Sequence, residues 1–351
     1  MMGMESLAGA EFAPQTTYLN TASNGLIPAR SLTAIKAGLD ATAAGSRLAD
    51  AAYAAVEETR AAYARLVGVP ARQVATGSSA AVFAGMIATS LPPGAEVLVA
   101  DGDFSSLVNP FAVRGDLKLR IVPLEEIAEA VRPGTALVAV SAVQSADGRI
   151  AELDAIREAA RAHGARTLVD VSQAAGWFPV NAAEADYTVC VGYKWLLCPR
   201  GVAFLTVPED LGGLTPVFAG WVAGEDPWAS CYGPVAELAH SARRFDESPA
   251  LHPYLAGRHS LALIEELGTE AIAAHDRALA DRFRAGVTEL GHRPVAAPGS
   301  AIVSVPGLGD AAARLAEREV AVSSRAGNLR ASFHLYNTAA DVDRLLEALS
   351  G

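Results

Sequence analysis

Two residues that could do acid–base and covalent chemistry lie at or just after the ends of neighbouring predicted strands. Asp170 lies near the end of the apolar run 167–171, and Lys194 follows the next apolar run, 187–191. Because open α/β sheets bind ligands at the carboxyl ends of their parallel strands, we expect both side chains at one edge of the sheet. The pair suits pyridoxal phosphate, since the carboxylate keeps the pyridine nitrogen protonated and the lysine forms a Schiff base with the aldehyde. Burial would lower the pKa of the lysine, as imine chemistry requires.

The middle of the chain alternates strand and helix patterns. Near-continuous apolar runs rich in β-branched residues predict strands at 96–100, 137–141, 167–171, 187–191 and 202–207. An amphipathic pattern over 151–163, followed by Gly164, predicts a helix between two of them. Such strands form mostly parallel sheets that helices cover on both faces, so we predict an α/β fold.

The last third of the chain has a different pattern. A long helical pattern over about 250–290 leads into short strand patterns at 301–305 and 328–333, and a final helix is predicted at 339–349. We therefore predict a smaller α+β unit, joined through the Gly-, Pro- and Trp-rich stretch 212–234.

Composition excludes several classes of protein. The 351 residues are 51% hydrophobic, enough for a sizeable core, and 28 Lys and Arg against 39 Asp and Glu give a net charge of −11. This balance speaks against nucleic-acid binding. Three cysteines cannot form a disulfide framework, no export signal or membrane-spanning run is visible, and the seven histidines lack metal-site spacing. We expect a cytoplasmic protein that binds a small molecule, without metal or membrane.

Two further motifs could bind anions. Thr76-Gly77-Ser78-Ser79 precedes a predicted helix, and small hydroxyl residues at a helix N-terminus bind phosphate through backbone N–H groups and the helix dipole. The alternative is an ordinary N-capped helix. Arg330, in the segment 330–338, carries a planar fork that matches a carboxylate, although a structural ion pair would also explain it.

With these motifs in this order, the sequence resembles the class-V aminotransferase family of fold-type-I pyridoxal phosphate enzymes, which includes cysteine desulfurases and kynureninases. The resemblance runs from 18–25 to 330–338. It implies a mostly parallel mixed sheet in a large cofactor-binding domain at 31–235 and a small α+β domain at 236–351. A segment at 1–30 would pack with the small domain and the active site, and two chains would form a homodimer with shared active sites.

The resemblance also implies a role for each candidate site residue. Lys194 would be the catalytic lysine that holds the cofactor, and Asp170 the partner of the ring nitrogen. The other implied cofactor contacts are Ser78, Ser79 and Tyr193 at the phosphate, Phe104 stacked on the ring, Gln173 at the 3-oxygen, and Trp221, which would reach the partner's site. Arg330 would grip the substrate α-carboxylate, with Asn24 and Gln144 nearby, and 323–325 would help to form the side-chain pocket. Phe104 and Trp221 could instead be packed core residues, and Gln144 a loop residue.

The reaction is less well determined than the cofactor. We predict an aminotransferase acting on an α-amino acid, in which Lys194 moves a proton between Cα and the cofactor's C4′. A C–S β-lyase resembling the ergothioneine-forming lyases, a kynureninase-like hydrolase and an epimerase remain alternatives. The segment 320–329 has no cysteine, which speaks against a persulfide-forming desulfurase. A non-catalytic regulator is disfavoured, because the chain has no room for a DNA-binding helix-turn-helix before Tyr18.

Overall fold

The computed structural model describes residues 4–46 and 48–350, which contain twelve strands and ten α-helices. The strands are β1 (Thr17–Tyr18), β2 (Val74–Gly77), β3 (Glu96–Ala100), β4 (Lys118–Val122), β5 (Thr135–Ser141), β6 (Arg166–Asp170), β7 (Tyr187–Val191), β8 (Ala203–Thr206), β9 (Ile302–Val305), β10 (Val320–Ala321), β11 (Ser323–Arg325) and β12 (Asn328–Ser332). The helices are α1 (Ala29–Ala43), α2 (Ala49–Leu66), α3 (Ala80–Ser90), α4 (Ser105–Ala112), α5 (Ile127–Ala130), α6 (Leu153–His163), α7 (Leu251–Leu267), α8 (Thr269–Glu289), α9 (Ala311–Glu317) and α10 (Ala339–Ser350).

Seven strands form one mixed sheet in the order β2-β8-β7-β6-β5-β3-β4. The neighbours β7-β6, β6-β5, β5-β3 and β3-β4 are parallel, whereas β8 is antiparallel to both of its neighbours. Helices cover both faces: Phe83 and Ile87 of α3 lie in the core on one face, and Ile156 of α6 lies in the core on the other. The predicted α/β class with a mostly parallel sheet is therefore confirmed.

The five strands that apolar runs predict are all present, within two residues of the expected bounds. In the seven-stranded sheet the sequence missed β2 and β4, and elsewhere it missed the short strands β1, β10 and β11. β4 is an edge strand whose residues are half-buried or exposed, so it lacks an apolar run, and β2 has only four residues and ends in glycine. The helical pattern over 250–290 is two helices, because Gly268 at φ 81° breaks it between α7 and α8.

The C-terminal part has its own antiparallel sheet, in the order β11-β12-β9, which packs on α8 and α10 through a core that includes Phe283, Leu329 and Leu345. The N-terminal strand β1 pairs with β10, and Asn20 bridges to Ser332. Residues near the N-terminus are thus held by the C-terminal part of the chain. The boundaries of the three-part division stay a prediction. Among the described residues, no helix has both the length and the apolar character needed to cross a membrane.

Candidate active site

Lys194 and Asp170 line one cavity of about 150 Å³. Asp170 is the last residue of β6, and Lys194 comes three residues after β7, its parallel neighbour. Both side chains are buried, with 4% and 5% of their surface exposed. The two other lysines of the chain, Lys36 and Lys118, are exposed. The carboxyl edge of the parallel strands therefore brings together the amine and the carboxylate that the sequence predicted there.

Burial determines the charge state of this pair. It lowers the pKa of Lys194 to about 8, against the opposing effect of Asp170, and Arg330 and Arg200 lower it further. Burial also raises the pKa of Asp170, while Lys194 and the N–H of Ser172, 2.8 Å from Asp170 Oδ1, oppose that rise. A substantial fraction of Lys194 is therefore a neutral amine close to physiological pH, which is the form that attacks an aldehyde.

Phe104 forms one wall of the cavity. Lys194 Nζ lies 5.0 Å from the centroid of the Phe104 ring. The loop before α4 that carries this ring is anchored by Asp103, whose carboxylate accepts hydrogen bonds from Ser141 N (2.8 Å) and Ser141 Oγ (2.5 Å) at the end of β5. An aromatic face beside the amine fits a flat heteroaromatic ring stacked on it.

The start of α3 also contributes to the cavity, whose lining includes Ser78 and Ser79. Ser79 Oγ caps the helix by accepting from Val82 N at 3.3 Å. The backbone N–H and hydroxyl of Ser78 both donate to one carboxylate oxygen of Glu247, with the hydroxyl at 2.6 Å. These donors of Ser78 thus already hold an anionic group, which shows their suitability for an anion and means that Glu247 competes for them.

Tyr193 and Arg200 lie beside the same cavity. The Arg200 guanidinium carbon lies 4.0 Å above the centroid of the Tyr193 ring. Arg200 was not among the predicted site residues; the available signal was a cation in the Pro-Arg-Gly segment that follows the lysine. Arg200 places a positive charge in the lining that Ser78 and Ser79 share. Together the two serines, Tyr193 and Arg200 form a donor set that fits a phosphate.

Gln173 is buried behind the cavity rather than in its lining. Its Nε2 donates to Ala22 O and Ser145 Oγ, each at 2.9 Å, and its Oε1 accepts from Trp195 Nε1 at 2.7 Å. A hydrogen bond to the cofactor's 3-oxygen would have to replace one of these bonds. The role assigned to Gln173 stays a prediction.

Two predicted substrate residues are engaged with neighbouring protein groups. Gln144 Nε2 donates to Asp103 Oδ2 at 3.1 Å, and Asn24 Nδ2 donates to Gly25 O at 2.7 Å. The segment that carries Asn24 nevertheless lies against the lysine, because Gly25 N donates to Tyr193 O at 2.8 Å. A Cβ at Gly25 would lie 2.1 Å from Lys194 O, so only glycine permits this close approach. The substrate roles of Asn24 and Gln144 stay predictions.

Arg330 is a buried cation with only neutral partners. It is 1% exposed, and its donors reach Ser323 Oγ (3.1 Å), Ser145 and Ser23 Oγ (2.6 Å). Burial lowers its pKa to about 9, and Arg325 lowers it further. Among the described residues no carboxylate contacts Arg330, although buried charges are ordinarily paired. This arrangement fits an anion supplied by a ligand.

Trp221 lies in a different cavity, of about 340 Å³. Its ring centroid is 5.7 Å from that of Tyr53 and 5.1 Å from that of Trp228. Within the one chain described, Trp221 does not line the Lys194 cavity. Its predicted contact with the site of a partner subunit stays a prediction.

Comparisons with known proteins agree with this geometry. The family model described as aminotransferase class-V matches residues 17–345. The isopenicillin N epimerase of Streptomyces clavuligerus is 31% identical over an alignment of 385 positions, which covers 96% of this chain and 94% of that protein. A probable cysteine desulfurase of Pyrococcus abyssi is 29% identical over 62% of this chain and 59% of its own length. In fold, the chain is similar to the solved complex of the cystine C–S lyase C-DES with cysteine persulfide, with a TM-score of 0.87, 24% identity and coverage of 96% of this chain and 97% of that one.

These comparisons give no support to the sequence-based argument against a desulfurase, which rests only on the missing cysteine at 320–329. They do agree on the family, since the matching model spans most of the chain and the epimerase is similar over nearly its whole length. The chain therefore belongs to the class-V aminotransferase family, and its cofactor is pyridoxal 5'-phosphate.

Proposed function

We propose that this protein is an aminotransferase that acts on an α-amino acid and uses Lys194 to move a proton at the substrate's Cα. The observation that carries the proposal is a buried amine, Lys194, which lines one cavity together with Asp170 and lies 5.0 Å from the centroid of the Phe104 ring. Lys194 is the one amine in that cavity, so it supplies proton transfer from a single side.

Different residues around the cavity would hold different parts of the cofactor. When bound, the cofactor supplies an electron sink that weakens the bonds at Cα. Asp170 would keep the ring nitrogen protonated, and Phe104 would cover one ring face. Ser78, Ser79, Tyr193 and Arg200 would hold the phosphate, which requires Glu247 to leave Ser78 or to share it. Arg330 would hold the α-carboxylate and thereby fix which Cα bond faces the lysine.

The pKa of Lys194 suits this task. A general base works best when its pKa lies near the operating pH, and burial lowers that of Lys194 to about 8. As a neutral amine, Lys194 would be the base that accepts the proton from the substrate's Cα and the acid that returns it. Transamination needs no second base, so Lys194 alone would be sufficient for it.

Epimerisation is the second candidate, because the similarity to the isopenicillin N epimerase spans nearly the whole chain. Returning a proton to the other face of Cα requires either a second acid or a reorientation of the substrate. Phe104 cannot donate a proton, so it cannot serve as that second acid.

One experiment separates these reactions. The holoenzyme is mixed in D₂O with L-amino acids or S-alkyl cysteines, with no keto-acid acceptor. An aminotransferase forms one equivalent of keto acid per site, converts the cofactor to pyridoxamine phosphate and stops. An epimerase accumulates the D-enantiomer with deuterium at Cα, and a β-lyase releases pyruvate and ammonia continuously. Either of the latter outcomes overturns the proposed function.

Matched lysine variants test the role of Lys194. Borohydride reduction of the holoenzyme should attach the cofactor to the peptide containing Lys194, as mass spectrometry would show. Lys194→Ala should lose this adduct and the half-reaction, whereas the exposed-lysine variants Lys36→Ala and Lys118→Ala should keep both. An adduct on Lys36 or Lys118 would contradict the assignment.

A further inference from the structure

A tight hairpin places a second arginine beside Arg330. The strands β11 and β12 pair with Ser323 opposite Arg330 and Arg325 opposite Asn328. Only Ala326 and Gly327 connect the strands, at φ 48° and 78°. Two left-handed residues are what a type I′ turn requires, so this loop fixes the register of the hairpin. Arg325 therefore lies at a defined position next to the pairing site of Arg330.

The two guanidinium groups converge on a single hydroxyl. Arg330 Nη2 lies 2.6 Å from Ser23 Oγ, and Arg325 Nη2 lies 3.0 Å from the same oxygen. A serine oxygen accepts at most two hydrogen bonds, so both of its acceptor positions are filled. The hydroxyl proton of Ser23 is then left to donate to a further acceptor. A ligand bound between Ser23, Arg325 and Arg330 would thus meet three hydrogen-bond donors and no free acceptor.

The charge of this group is not balanced by protein. The remaining contacts of Arg325 and Arg330 are with Ser324 O, Ser323 Oγ and Ser145, all neutral. Among the described residues, neither arginine forms a salt bridge. Two like charges near each other disfavour one another, and burial of Arg330 adds to the cost. An anionic ligand would relieve both effects.

The two arginines differ in depth. Arg330 is 1% exposed and acts electrostatically on Lys194, whereas Arg325 is exposed at the end of the hairpin. A ligand that reaches Lys194 with its amino group would therefore meet Arg330 first and Arg325 farther out. We propose that the substrate carries a second carboxylate, and that Arg325 with Ser23 recognises it while Arg330 holds the α-carboxylate. The substrate class is then the acidic 2-amino-dicarboxylic acids.

This inference rests on the proposed function for the identity of the α-carboxylate, and its test compares a charged and a neutral substrate. Glutamate and glutamine have similar shapes, and the difference in their affinity isolates the second carboxylate. Spectral titration of the holoenzyme should give a dissociation constant about tenfold lower for glutamate, as expected for one charge-assisted contact. Arg325→Gln should remove that difference by weakening the binding of glutamate. The exposed arginine Arg314, changed to Gln, serves as the control and should alter neither value.

Three outcomes would overturn the inference. Equal affinity for glutamate and glutamine in the wild-type enzyme would show that no second carboxylate is recognised. Equal weakening of both ligands in Arg325→Gln would show that the two arginines share the α-carboxylate. Failure of Arg325→Glu to shift the preference toward a cationic amino acid such as ornithine would show that Arg325 does not contact the side chain.

A measurement on the apoprotein separates failure of this inference from failure of the proposed function. Calorimetric titration with glutarate and with butyrate requires no cofactor chemistry. Tighter binding of glutarate that is lost in Arg325→Gln supports the arginine pair even if no cofactor attaches to Lys194. Attachment to Lys194 without any preference for glutarate would leave the proposed function intact and would overturn the inference alone. Circular dichroism of each variant checks that the hairpin change has not unfolded the protein.

Discussion

Two buried arginines of this protein have opposite surroundings. Arg60 is 4% exposed and forms ion pairs with Asp246 at 2.6 Å and with Glu57 at 3.0 Å. Arg330 is 1% exposed and contacts only serines. Burial acts against the charge of both, but the two carboxylates raise the pKa of Arg60 above its usual value, whereas burial and Arg325 lower the pKa of Arg330 to about 9.

The difference indicates different roles for the two arginines. Arg60 stabilises the fold through its ion pairs, whereas Arg330 has the unpaired charge expected of a residue that binds an anionic ligand. Arg60 Nη1 donates to Val74 O at 2.7 Å, and Asp246 accepts from Thr76 N at 2.8 Å, so the pair ties α2 to β2 and to the segment after 245. The charge of Arg60 is thus satisfied within the chain. The charge of Arg330 is not satisfied within the described residues. Because Arg330 acts electrostatically on Lys194, a substrate carboxylate held near that lysine would satisfy it.

The largest expected effect is on stability at Arg60. Arg60→Leu leaves Asp246 buried without its cation, which costs about 3–5 kcal/mol of unfolding free energy. Arg330→Leu removes a buried charge that has no acidic partner, so its lost hydrogen bonds, about 1 kcal/mol each, are partly offset by the desolvation that is avoided. Urea unfolding of the apoprotein, followed by circular dichroism, measures both values.

A control and a contrary result complete this comparison. The double variant Arg60→Leu/Asp246→Leu should regain part of the stability, because no buried carboxylate is left without its cation; Glu57 is exposed. If Arg330→Leu cost as much stability as Arg60→Leu, the distinction between the two arginines would be wrong.

The next effect is on substrate binding at Arg330. Arg330→Leu should weaken the binding of an α-amino acid by about 2–5 kcal/mol, or roughly 30-fold and more, because the α-carboxylate loses its charged partner. Spectral titration of the holoenzyme measures this change. A simple amine without a carboxylate should bind the wild type and the variant equally well. A similar loss for the amine would mean that Arg330 shapes the pocket rather than binding the carboxylate.

The sequence alone was sufficient for the residues whose position follows from a strand end. Lys194 and Asp170 could be placed together because β6 and β7 are continuous apolar runs and parallel strands end at one edge. The strand β4 was missed for the converse reason, since at the edge of a sheet half of its residues are exposed. Local patterns therefore predicted the buried middle of the sheet and the neighbouring positions of Lys194 and Asp170.

Other features depend on distant contacts that no local pattern encodes. Gln173 hydrogen-bonds to Ala22, 151 positions away, and Gln144 to Asp103, 41 positions away. The convergence of Arg325 and Arg330 on Ser23 joins positions about 300 residues apart. Arg330 could be suspected from its motif, but that it lacks an acidic partner became visible only when its neighbours were known.

The smallest expected effect concerns a third buried cation, Lys194, on which Arg330 acts. Burial lowers the pKa of Lys194 from its usual 10.5 to about 8, Asp170 opposes this, and Arg330 reinforces it. Because only the neutral amine attacks the cofactor's aldehyde, the rate at which apoprotein captures the cofactor should rise with pH and level off above about 8. Stopped-flow absorbance over a pH series measures the midpoint.

Two variants should move that midpoint in opposite directions, by a few tenths of a pH unit each, as expected for partly screened charges. Arg330→Leu removes a positive charge, so the pKa of Lys194 and the midpoint rise. Asp170→Asn removes a negative charge, so both fall. The exposed variant Arg314→Gln should leave the midpoint in place. A rate that keeps rising to pH 10 in the wild type would mean that Lys194 is solvated like an ordinary surface lysine. The unpaired charge of Arg330 would then have no effect on the pKa of Lys194.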